Sequence, residues 1–179
     1  MKLQRLFDEN FHLIPIRKDD KRPLTKHWNH IRLGVKETQN FLHEGYNLAV
    51  VAGEQSQKNG LNLAIADYDN RLGPTIAQST LNIYRQFGTL LCFTPHGFHV
   101  YYRTNNPREL SRRLDVHRRL DVRLRYATRD TVRYTGMYAL LPPSKVNGKS
   151  YWWLDNGQQE IATFPSPETK SRDIVEVTY

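Results

Sequence analysis

Cysteine is almost absent from this chain of 179 residues, where Cys92 stands alone. No internal disulfide can form and no cysteine-based zinc site can be built. The neighbours Leu90, Leu91 and Phe93 are apolar, so Cys92 reads as a small buried hydrophobe. Long apolar runs are missing too. The longest, Leu48 to Ala52, falls far short of the roughly 20 residues that cross a bilayer. The opening residues MKLQRLFDENF carry two acids and no signal-peptide core. A cytoplasmic protein without membrane contact is expected. There is no low-complexity segment and no domain-scale repeat. A hydrophobic content of 39% argues against disorder, and the length suits one domain or two small modules sharing a core.

What the chain has in excess is positive charge. Lysine and arginine total 26 against 18 acids, a net charge of +8. Ten arginines lie between Arg103 and Arg133: Arg103, Arg108, Arg112, Arg113, Arg118, Arg119, Arg123, Arg125, Arg129 and Arg133. Arginine suits planar phosphate recognition, and a basic band suits a polyanion. Any one of these arginines is as well explained by a solvated face; the band as a whole points to nucleic acid. The stretch holding Arg108, Arg112 and Arg113 has helical spacing, which gives it a continuous face for DNA phosphates.

Apolar spacing predicts helices over residues 1–10 and 36–43, with a strand at 12–16 that Pro15 and the charged loop RKDDKRP bring to an end. A strand is expected at 47–52, then a loop from Gly53 to Gly60. Leu61, Leu63 and Ile65 alternate into Ala66-Asp67-Tyr68-Asp69, a strand ending in acids. A helix is expected over 71–87, then strands at 89–93 and 98–103 about the turn Thr94-Pro95-His96-Gly97. A helix over 107–114 and strands over 120–126 and 131–141 follow. PPSKVNGKSYWW is a turn leading into another strand. Helices alternate with strands early and hairpins dominate late, which makes the fold α+β.

Three places carry candidate chemistry. Asp67 and Asp69 are two apart, so on a strand both carboxylates leave the same face. Two like charges so close repel unless a cation lies between them, and magnesium or manganese suits carboxylate ligands. The plainer alternative is a polar strand end, with Asp69 in a turn or capping a helix. His99, after the Gly97 turn, can touch a phosphate or be a satisfied strand histidine. Asp121 opens the basic strand LDVRLRY, with Arg123 two residues on, or is simply ion-paired there. The sequence repeats itself as LDVH at 114–117 and LDVR at 120–123, so Asp115 rivals Asp121.

The ordered set Asp67-x-Asp69, Gly97-x-His99, Asp121-x-Arg123, Pro142-Pro143-Ser144, Gly148 and Tyr151-Trp152 resembles the primase-polymerase domain of plasmid and phage replication proteins. That domain belongs to the archaeo-eukaryotic primase superfamily. His12-Leu-Ile-Pro-Ile, Lys21-Arg22-Pro23 and Trp28 look like the family's opening motif, and the resemblance spans residues 11–153. It implies a small N-terminal αβ unit, about residues 1–60, packed on a catalytic unit with an RNA-recognition-motif-like sheet, about 61–165. Residues 166–179 read as a linker-like tail. The resemblance also implies three metal-binding carboxylates, Asp67, Asp69 and Asp121, with Mg2+ or Mn2+. His99 and Arg123 would hold nucleotide phosphates, with Ser144 and Lys145 at the rim. The second carboxylate is often glutamate in the family and is the shorter Asp69 here. Arg123 at the matching offset favours Asp121 over Asp115.

The implied activity is template-directed nucleotidyl transfer from a nucleoside triphosphate to a 3′-hydroxyl, with DNA template and primer as partners. A helicase domain or subunit is a further expected companion. Tyr101, Tyr102, Trp152 and Trp153 are candidates for stacking on bases. Two other classes share parts of this pattern. A non-catalytic nucleic-acid-binding subunit would have no reason to keep three carboxylates in basic surroundings. A metal-dependent nuclease would need neither His99 nor a triphosphate pocket.

Overall fold

The computed structural model describes residues 1–69, 85, 87–110, 132–133 and 137–164, with backbone alone at 69, 132 and 133. Helix α1 (Leu3–Asp8) leads into β1 (His12–Ile16), and α2 (Val35–His43) into β2 (Asn47–Val51). Next come β3 (Gly53–Lys58), β4 (Leu61–Asp69), β5 (Leu91–Thr94), β6 (Gly97–Thr104) and β7 (Val132–Arg133). Last are β8 (Tyr138–Leu141), β9 (Lys145–Val146), β10 (Lys149–Ser150), β11 (Trp152–Trp153) and β12 (Ala162–Thr163). Helix and largely antiparallel sheet combine into the expected α+β fold. No helix among the described residues is long and apolar enough to cross a membrane.

Two main sheets organise these strands, and β9 and β10 pair with each other as a separate hairpin. The small one has the order β1-β2-β8, and the large one runs β11-β5-β6-β4-β3 with β7 added to β4 and β12 to β6. Alternation along β4 explains their packing. Leu63 and Ile65 enter a core shared with Ile14, Leu48, Val50 and Leu140 of the small sheet. Ala64, Ala66 and Tyr68 enter a second core on the opposite face, with Phe93, Phe98 and Val100. Successive strand residues point to opposite faces, so a strand covered on both sides must be apolar almost throughout. β4 meets that demand until Asp67.

Three expectations need correction. Gly53 to Gly60 is not a loop, because residues 53–58 form β3 and Asn59-Gly60 turns it back onto β4. Both turn residues have positive φ, 52° and 77°, as a tight hairpin requires. β3 is an edge strand with most of its side chains exposed, so its polar sequence hid it. Pro15 does not end β1; it pairs with Leu48 inside the ladder. β1 is also an edge, and the Pro15 carbonyl points outward to the amide of Leu24, so the missing N–H costs no ladder bond. Finally, 131–141 is not one strand. β7 joins β4 in the large sheet, whereas β8 crosses to the small sheet and fills the open side of β2. The small sheet is therefore built from both ends of the sequence, and a boundary near residue 60 divides the chain but not the sheet.

Candidate active site

Register decides which side chains meet. β4 and β6 pair without a break from Asn62↔Thr104 to Asp69↔Gly97, which sets Asp67 opposite His99. β5 places Cys92 opposite His99, and β11 places Trp153 opposite Cys92. Directly opposed residues in an antiparallel sheet share a face. Asp67, His99, Cys92 and Trp153 thus form one row across four strands, on the face turned to the small sheet.

Most of this row is apolar packing. Burial pushes the Cys92 thiol well above its usual pKa, which makes it an inert filler. His99 and Asp67 are different. His99 Nε2 lies 3.4 Å from Asp67 Oδ1, with the imidazole side chain 6% exposed and the carboxylate 15%. The rings of Tyr101 and Tyr151 lie 6.4 and 6.1 Å from the imidazole, centre to centre. Its other nitrogen, Nδ1, is buried with no hydrogen-bond partner among the described residues. A buried polar atom left unmatched normally costs about 1–3 kcal/mol, so such an atom needs a reason. An incomplete polar site waiting for a ligand is one.

A family model for the N-terminal domain of bifunctional DNA primase/polymerases (Prim-Pol) matches residues 3–167. The chain belongs to the Prim-Pol family. A search among curated proteins found no match. Membership supports a DNA primase/polymerase role in replication, with DNA and nucleotides as substrates. The Asp67–His99 row is where this Prim-Pol domain brings together residues from two of the three stretches that sequence reading singled out.

Asp69 takes the last position of β4, opposite Gly97 and two residues beyond Asp67. Asp121, its rival Asp115, Arg123, Arg112 and Arg113 lie outside the described residues. Among the described residues no three histidine, cysteine or acidic side chains cluster as a metal site. The donors that are present, carboxylates spaced along one strand, fit a hard divalent cation such as Mg2+ or Mn2+.

Other candidates are placed away from this pair or are otherwise engaged. Ser144 is 2% exposed, and its hydroxyl both accepts from the Leu48 amide and donates to the Leu48 carbonyl, each at 3.0 Å. That is a brace between the β8 end and β2, in place of the rim position expected of it. Lys145 is exposed beside it. Arg108 is exposed too, but it follows the far end of β6. His99 and Thr104 are five residue steps apart along the strand, about 17 Å at about 3.3 Å per residue.

Arg103, counted in the arginine band, is buried. It donates through Nη1 to the Ser56 carbonyl and through Nη2 to the Glu9 carbonyl, with the Glu9 carboxylate 3.6 Å from Nη2. Burial lowers its pKa and Glu9 opposes that fall. This arginine joins the segment after α1 to β3 and β6 and is closed to DNA. Tyr101, Tyr102 and Trp153 are core residues, which removes them as base-stacking platforms. Trp152 is 37% exposed but stacks on Phe93, on the sheet face opposite to His99.

Sequence reading missed the partner of His99, because cross-strand register is a long-range property. It also missed Asn47, which is buried and binds two separate segments. Its Nδ2 donates to the carbonyls of Asp20 and Lys145, and its Oδ1 accepts from the Lys145 amide. No local pattern marks such a clamp.

Proposed function

We propose that this Prim-Pol domain is a metal-dependent, template-directed nucleotidyltransferase that joins a nucleoside triphosphate to a primer 3′-hydroxyl and releases pyrophosphate. The observation that carries the reading is the Asp67–His99 pair on adjoining strands, with an imidazole nitrogen that has no partner among the described residues, in a chain of this family. Asp67, Asp69 and Asp121 would hold Mg2+ or Mn2+, which when bound supplies charge neutralisation at the phosphates and acidity at the attacking hydroxyl. The chain's own residues position and select. Asp67 fixes the imidazole of His99 by its charge. His99 completes its hydrogen bonding on a phosphate oxygen of the nucleotide. Arg123 adds a guanidinium cation at the same phosphates. The low exposure of both Asp67 and His99 keeps the local dielectric low, which strengthens each of these contacts.

DNA template and primer are held by phosphate contacts, among them Arg108, Arg112 and Arg113, largely without regard to sequence. A helicase, as a further domain or as a subunit, would supply unwound template. The cytoplasm is the working compartment on this reading.

A primer-extension assay tests it, using a defined template, Mg2+ or Mn2+, and deoxy- or ribonucleotides in separate reactions. Metal-dependent extension by the wild type and none by Asp67→Asn is the expected result. Extension without added metal after chelation, or equal extension by the variant, would overturn it. Nuclease products with no incorporation would transfer the site to hydrolysis.

A further inference from the structure

The strongest unassigned feature is a basic platform made from two segments far apart in the chain. Residues 17–22 form a loop after β1, and β9 and β10 form a hairpin after β8. Three contacts hold them together. Asn47 grips the Asp20 and Lys145 carbonyls and the Lys145 amide. The Gly148 amide donates to Asp19 Oδ1 at 3.0 Å. The Tyr138 hydroxyl, from β8, donates to the Lys21 carbonyl at 3.2 Å.

The platform exposes six cations: Arg17, Lys18, Lys21, Arg22, Lys145 and Lys149. Its two acids are engaged in structure. Asp19 holds Gly148, and Asp20 caps the amides of Lys21 and Arg22 and pairs with the Arg22 guanidinium at 2.6 Å. Lys18 lies over the Tyr46 ring at 4.7 Å. Among the described residues, Arg17, Lys21, Lys145 and Lys149 face no carboxylate partner. Like charges held together by a buried asparagine cost folding energy, and an ordinary solvated face is not pinned this way.

Position adds to charge. Lys145 directly follows Ser144, whose carbonyl accepts the Tyr151 amide at 2.8 Å, and the Tyr151 ring lies against His99. The platform thus borders the end of the large sheet that bears Asp67 and His99, whereas Arg108 belongs to the other end.

We propose that the 17–22 loop and the 145–149 hairpin form one polynucleotide-backbone rim that holds the DNA strand at the catalytic end of the sheet. The inference rests on the reading of this chain as a DNA polymerase for its ligand, and it moves Lys145 from a nucleotide contact to a DNA contact. Lysines act as point charges, so the rim grips phosphates without reading bases.

The test measures binding of fluorescent single-stranded DNA at several salt concentrations, for the wild type and for Lys21→Gln/Lys145→Gln/Lys149→Gln. Each phosphate neutralised contributes about −0.7 to the slope of log affinity against log salt. Loss of three contacts should flatten the slope by about two units, equally for unrelated sequences, and weaken binding at low salt at least tenfold. Nucleotide KM at saturating DNA should not move. The side chains are exposed, so a melting curve matching wild type is expected. If the triple variant melts early, Lys145→Gln/Lys149→Gln, confined to the hairpin, should still flatten the slope by more than one unit. An unchanged slope overturns the proposal. A raised nucleotide KM with an unchanged slope also overturns it and returns Lys145 to the nucleotide. The two readings fail separately. A wild type that binds DNA through the rim but never extends a primer defeats the polymerase reading alone. Normal extension with an unaltered slope in the variant defeats the rim alone.

Discussion

His99 and Arg103 stand on the same face of β6, four residues apart, and each meets a carboxylate. Arg103 Nη2 is 3.6 Å from Glu9, and His99 Nε2 is 3.4 Å from Asp67. The resemblance ends there. The terminal nitrogens of Arg103 are bound to two main-chain carbonyls, of Glu9 just after α1 and of Ser56 in β3, so the group ties elements together. His99 Nε2 meets the Asp67 carboxylate, and among the described residues Nδ1 has no partner. Arg103 also leaves one nitrogen, Nε, without a partner there, so the two pairs differ in what their other nitrogens hold. Both terminal nitrogens of Arg103 are spent on the fold. The imidazole, beside a second strand acid, has room in its bonding for a ligand.

That contrast makes different predictions for the two pairs. The largest effect is expected at Asp67. A metal clamp contributes several kcal/mol to the transition state, so Asp67→Asn should lower the incorporation rate about a thousandfold. Thermal unfolding should change little, since the amide keeps the shape. Arg103→Leu should do the reverse. It strands the Ser56 and Glu9 carbonyls and leaves the Glu9 carboxylate to Lys58 alone, a loss of about 3 kcal/mol of stability by denaturant titration. Incorporation per folded molecule should stay near wild type. A stable Arg103→Leu with ruined activity would erase the distinction.

Smaller effects sharpen it. His99→Ala should raise nucleotide KM about ten- to a hundredfold while DNA affinity holds, in line with the loss of one hydrogen bond to a charged group, about 1.5–3 kcal/mol. Lost DNA affinity with unchanged KM would assign His99 to the template. The smallest expected effect is at Arg108, where alanine should flatten the DNA salt slope by less than one unit. An unchanged slope would mean that the template does not reach the end of the sheet away from His99.

Much of the fold could be read from local pattern. The alternation of Leu61, Leu63 and Ile65 marked β4, and helical spacing marked α1 and α2. The acids at the end of β4 and His99 after its turn were legible for the same reason, since strand periodicity alone places Asp67 and Asp69 together. What was hidden depends on contacts across the chain. β3 is polar because its side chains face water at a sheet edge, and only Asn59-Gly60 betrayed it. Arg103 looked like its basic neighbours, and nothing nearby in sequence reveals Glu9 and Ser56 as its partners. Tyr101 and Tyr102 seemed available for stacking because a strand covered on both faces looks the same, residue by residue, as an exposed aromatic strand. Ser144 was read through the family pattern, whereas its hydroxyl is spent on Leu48. The clamp at Asn47 joins segments separated by more than a hundred positions, which no periodicity can announce.

The central claim is that the Asp67–His99 pair binds a metal-bound nucleotide, whereas the Glu9–Arg103 pair only ties elements of the fold together. Manganese binding in the presence of a non-hydrolysable nucleoside triphosphate, followed by electron paramagnetic resonance, addresses it directly. The account predicts nucleotide-dependent manganese uptake by the wild type and by Arg103→Lys, and its loss in Asp67→Asn at unchanged folding. Equal uptake by wild type and Asp67→Asn, or loss in Arg103→Lys while the fold holds, would contradict it.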